Sequence, residues 1–127
     1  MRVLSHACSL CRPAGILLDL TTVPPAASIE CAGTSLGGLE QDAFLAQAAA
    51  TEAAVDRLIA DGRLLEEGRL EHQVLKHFDA GVDLIADIGT RRFADIPPDL
   101  IPVLERLQEP VVERASCLLR RLRVLRR

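Results

Sequence analysis

Two cysteines, Cys8 and Cys11, stand two residues apart, with His6 just before them and Cys31 further on. That spacing lets two thiolates wrap one Zn²⁺, and His6 with Cys31 would complete a tetrahedral set. The same pair can act as a redox dithiol if a helix start lowers one thiol's pKa. A zinc module normally carries a second Cys-x-x-Cys, and a thioredoxin-like site needs strands and helices in alternation around the pair. Neither is visible, so unrelated cysteines are the simpler reading. A second group, His72 and His77 with Glu71, Asp79 and Asp83, lacks the Glu-x-x-His spacing that puts two ligands on one helical face. These histidines read as surface or boundary residues. No Gly-rich phosphate loop, nucleophile elbow or His-Glu-x-x-His stands in the chain, so the sequence gives catalysis little support and leans toward a non-enzyme.

The charge is polarised. From Glu40 to Glu113 there are sixteen acidic and seven basic residues, whereas from Arg114 to Arg127 there are six arginines and no acid. Phosphate would be repelled by most of such a chain and attracted only at its end, so Arg120, Arg121, Arg123 and Arg127 are the candidate nucleic-acid contacts. The same stretch carries leucines. Leu118, Leu122 and Leu125 continue a stripe begun by Leu100, Leu104, Leu107, Val111 and Ala115, close to a heptad repeat, and form a candidate interaction face for a second copy or another protein.

These candidates need elements to carry them. Of three aromatic residues, Phe44, Phe78 and Phe93, none is Trp or Tyr, so the core must be aliphatic, which suits helix packing. An alanine-rich helix is expected from Leu39 to Asp61, with Gly62 as its stop. Leu70, Val74, Phe78, Val82, Ile85 and Ile88 step by three or four and predict a second helix over Arg69–Ile88, ended by Gly89. Asp99 would cap a third running to Arg127, kinked or restarted at Pro110. The expected fold is therefore mainly α: a three- or four-helix bundle over 39–127, preceded by an irregular arm over 1–38. Within the arm, Gly15–Val23 and Ala27–Ala32 can pair as a short β-hairpin.

The run Thr51–Leu75 has one further aspect. A helix over Thr51–Asp61, Gly62, then Arg63-Leu64-Leu65-Glu66-Glu67, Gly68 and Arg69–Leu75 resembles the recognition helix and hairpin of winged-helix DNA-binding domains. That resemblance implies a helix lying in a DNA groove. The chain departs from it in charge, because Glu52, Asp56 and Asp61 face one Arg57 on that helix, the wrong sign for a phosphate-walled groove.

No apolar run approaches the roughly 20 residues of a membrane-spanning helix, and His6, Ser9 and Arg12 interrupt any secretory signal. A cytoplasmic protein without a transmembrane segment is expected. Taken together, the residues point to a non-enzymatic interaction or regulatory module that self-associates through its last amphipathic helix. The alternatives are a nucleic-acid-binding regulator using 114–127 and a zinc or thiol module using Cys8 and Cys11.

Overall fold

The computed structural model describes residues 12–125. Among them 41% are strand and 29% helix, arranged as five antiparallel strands and three helices, so the expected mainly α bundle is corrected. In chain order the elements are β1 (Ile16–Thr22), β2 (Ser28–Cys31), β3 (Thr34–Gly38), α1 (Asp42–Ala60), β4 (Leu64–Phe78), α2 (Gly81–Ile88), α3 (Ile101–Arg106) and β5 (Val111–Val124).

The two long helices of the sequence reading are where it departs most. Only Gly81–Ile88 of the Arg69–Ile88 segment is helical, and only Ile101–Arg106 of the last. The physical reason is a coincidence of periods. A step of four lies close to one helical turn of 3.6 residues and equals two strand repeats. Leu70, Val74 and Phe78 share a helical face if the segment is helix, and share a pleat face if it is strand. Leu118 and Leu122 are ambiguous in the same way. The intervening residues settle the matter once partners exist. From Leu118 to Val124 the burial follows strand alternation, with Leu118, Arg120, Leu122 and Val124 all buried. Pro110, which would break a helix, instead sits just before a strand.

The segment expected to be an irregular arm is also strand. Residues 16–22 and 28–31 are extended as the composition allows, but they do not form a hairpin with each other. β1 pairs with Cys117–Arg123 of β5, and β2 pairs with Val111–Arg114 of the same strand. The hairpin that does form is β2–β3, turning at Ala32 and Gly33, which both have positive φ, as a two-residue turn between right-twisted strands requires. Gly68, read as a break, lies inside β4, so the winged-helix hairpin is absent and one continuous strand replaces it.

The first helix follows the sequence closely. It ends where Gly62 adopts φ +74°, and the Gly62 and Arg63 amides donate to the carbonyls of Ile59 and Leu58. These two bonds satisfy carbonyls that would otherwise be orphaned at the helix end. No helix among the described residues is long and apolar enough to cross a membrane.

The chain divides into two compact units. Among the described residues one comprises 12–23, 46–72 and 117–125, the other 24–45 and 73–116, so each draws on part of β4 and part of β5. The first unit has a core of Val55, Leu58, Leu64, Leu122 and Val124, with Leu17 and Ile59 packed against it. The second has its own core, including Ile29, Leu84, Leu104 and Val111, tied at its rim by Arg91. That guanidinium donates to both oxygens of Glu113 at 2.7 Å and also to Asp87. Also in the second unit, Gly81 begins α2 directly against α3. A Cβ there would run into the Leu104 carbonyl, so this position admits no side chain. Gly81→Ala should therefore destabilise the protein by about 3 kcal/mol through overpacking against backbone, measured as a lowered urea midpoint.

Candidate functional site

In the first unit, β5 pairs with β1 with an unbroken register, so Asp19 lies opposite Arg120, and Leu17 opposite Leu122, on the side that faces the core. Arg120 thus occupies an inward position between two core residues of its own strand. Its residue exposure is 1%, and a bare guanidinium cannot remain there. Carboxylates from two other elements surround it. Arg120 Nη1 donates to Glu52 Oε2 at 2.9 Å, and Nη2 donates to Asp56 Oδ1 at 2.8 Å. Glu52 and Asp56 are one helical turn apart on α1, which places both on the face turned to the sheet. Arg120 Nε lies 3.5 Å from Glu66 Oε1 on β4, an ion pair without a hydrogen bond, and Arg69 Nε holds that same oxygen at 2.9 Å.

Four carboxyl groups therefore gather around one buried arginine: Asp19, Glu52, Asp56 and Glu66. The excess of acid has a consequence at Glu52. Burial, and then the neighbouring Asp19 carboxyl within hydrogen-bonding reach, push Glu52 up from the usual 4.5 to about 7, against the opposing pull of Arg120. The place a metal ion would need among these acids is filled by the guanidinium. Among the described residues no group of three His, Cys, Asp or Glu is placed to hold a metal.

The residues expected to carry function are distributed differently. Leu118 and Leu122 are buried at 6% and 0% exposure, and of the three candidate interaction leucines only Leu125 is open, at 46%. Arg121 and Arg123 point to the other face of β5, where their Nε atoms donate to the two oxygens of Glu67 at 3.4 and 2.8 Å. These bonds, that of Arg123 first, hold the Glu67 carboxyl below its usual range. Cys31 is buried, and its thiol donates to Glu109 Oε2 at 3.4 Å. Burial, and then that carboxylate, push the Cys31 thiol up, away from the thiolate that a metal or a redox partner needs. His6, Cys8, Cys11 and Arg127 lie outside the described residues.

The acid cluster was not found from the sequence because its members are spread from residue 19 to residue 120 on four elements. A signal was present. An arginine in the alternation Leu118-x-Arg120-x-Leu122-x-Val124 is an inward arginine if the segment is strand. Comparison with protein-family models, with curated proteins and with solved structures gives no match for this chain.

Removing the arginine leaves the part-buried carboxylates of Glu52 and Glu66 without their shared cation. Arg120→Ala should cost about 3–5 kcal/mol of unfolding free energy, whereas Arg121→Ala, on the solvent side, should cost less than about 1 kcal/mol. Urea unfolding of the two variants side by side checks this.

Proposed function

We propose that this chain is a non-enzymatic interaction module that self-associates through β1, in its first unit. One observation carries the reading: Leu18 and Leu20 are 69% and 61% exposed on a regular strand, with Ile16 beside them at 36%. Alternate residues of β1 point into the core or out of it, and every outward residue from 16 to 20 is aliphatic. Large apolar side chains aligned in this way mark an association surface.

The edge of the strand supports the same reading. Among the described residues β1 has one strand partner, β5, so within them it is an edge strand. Proteins guard such edges with lysine, proline or a bulge. β1 has none of these, and its single charged residue, Asp19, is turned inward toward Arg120. Antiparallel pairing of two copies about Leu18 would set Ile16 of each against Leu20 of the other with no charge facing a like charge. The flanking cations Arg121 and Arg123 share the carboxylate of Glu67 within each copy, which reduces the charge they bring to this approach. A twofold pairing of identical edges is the simplest closed assembly.

Because Leu118 and Leu122 are buried, the contact proposed here is the outward face of β1 and not the leucine stripe expected at the chain's end. The nucleic-acid alternative finds less support. Arg120, Arg121 and Arg123 are each engaged with carboxylates, which leaves little positive charge free for phosphate.

Sedimentation velocity tests the reading. The wild-type chain should show a concentration-dependent dimer, and Leu18→Glu should weaken it at least about tenfold by putting a charge on the pairing axis. Leu70→Glu, an equally exposed leucine on β4, should leave it unchanged. A folded wild-type chain that stays monomeric at the highest soluble concentration would remove the proposal.

A further inference from the structure

The underside of β1 carries a feature that neither the fold nor the self-association explains. Asp19 Oδ2 and Glu52 Oε1 are both buried, and neither has a hydrogen-bond partner among the described residues. Buried carboxylate oxygens without donors are rare and costly. Here the two orphans belong to residues that lie within hydrogen-bonding reach of each other. A single proton between them satisfies both at once, turning two repelling anions into a carboxyl–carboxylate hydrogen bond.

We infer that Asp19 and Glu52 form one proton-holding pair that fastens β1 to α1 while the proton is present and loosens it when the proton leaves. The part concerning association rests on the self-association proposed above.

The surroundings are fixed from every element of the first unit. From β1 comes Asp19, from α1 Glu52 and Asp56, from β4 Glu66 with its partner Arg69, and from β5 Arg120. Arg120 has Glu52, Asp56 and Glu66 already, so it cannot also neutralise a second negative charge on the pair. Loss of the proton leaves two adjacent anions sharing a partly spent cation. The strain falls on β1, because its one strand partner among the described residues is β5, and the leucines proposed to pair stand on the opposite face from Asp19.

The sign follows from linkage. Glu52 binds its proton more tightly in the folded chain than in the unfolded one, so its contribution is complete below about 4.5 and is lost as the pH rises through about 7. Mild acid should tighten β1 and alkali should loosen it. Glutamine at 52 or asparagine at 19 supplies a permanent N–H donor and imitates the protonated pair.

The test uses the whole chain with ¹³C-labelled glutamate and aspartate carboxyls, observed by NMR from pH 5 to about 9 and assigned with Glu52→Gln. A Glu52 carboxyl that titrates near neutrality, and a melting temperature that falls by about 5–10 °C from pH 6 to about 8.5 in the wild type but stays level in Glu52→Gln, would bear the pair out. A Glu52 carboxyl that titrates below about 5 overturns it, whether or not the chain associates. Because resonance and melting are read on dilute protein, they stand apart from sedimentation. A dimer fraction that falls over the same pH range in the wild type and not in Glu52→Gln supports the coupling to association. A titrating pair with a constant dimer fraction overturns the coupling, and a titrating pair in a permanent monomer overturns the self-association instead.

Discussion

The burial of one guanidinium organises the first unit. Arg120 stands between Leu118 and Leu122 on a strand whose alternate residues make the core, and its charge cannot be left there without partners. Glu52 and Asp56 must therefore approach from α1, Glu66 from β4, and Asp19 must sit opposite on β1. Removal of the arginine leaves uncompensated acid, while an apolar residue in its place would have packed without any of them. The arrangement is thus weak evidence for stability and good evidence for specificity. It fixes which face of β5 looks inward, and with it which leucines look outward.

The outward face follows from that choice. Once Asp19 and Leu17 of β1 are committed to the interior, strand alternation exposes Ile16, Leu18 and Leu20 without exception. The chain neither covers them nor replaces them with polar residues. The proposed pairing and the proposed proton site are in this sense two sides of one strand, which is why a change of charge beneath β1 bears on what its upper face does.

The second unit shows a different economy. Its hydrophobic cluster is fuller, its arginine Arg91 is bound by both oxygens of Glu113 and by Asp87, and the bonds of Arg91 and Lys76 hold Asp87 below the usual carboxylate range. Around Arg91 charge is balanced locally, Asp87 and Glu113 against Arg91 and Lys76, and close packing is enforced by backbone contact at Gly81. Nothing in that unit has the surplus of acid found around Arg120.

Several features were legible in the residues alone. The helix ended by Gly62, the stop at Gly89, though of a helix far shorter than expected, and the lack of a long apolar helix rest on local chemistry: left-handed backbone at Gly62, the low helix propensity of glycine, and run length. The acidic middle and basic end were equally plain. Local chemistry could not decide the state of residues 64–78 and 111–124, because apolar steps of four satisfy a helix and a strand alike. Strand pairing decided it: β5 receives β1 and β2 along its length, and a ladder needs neighbours that lie about a hundred residues away. The same is true of the acid cluster. None of Asp19, Glu52, Asp56, Glu66 and Arg120 announces a cluster in its own segment, and the fold that sets residue 19 against residue 120 brings them together. Sequence determined where the chain must turn or stop; tertiary structure alone determined which side of each strand is inside, because burial is a property of partners and not of the segment.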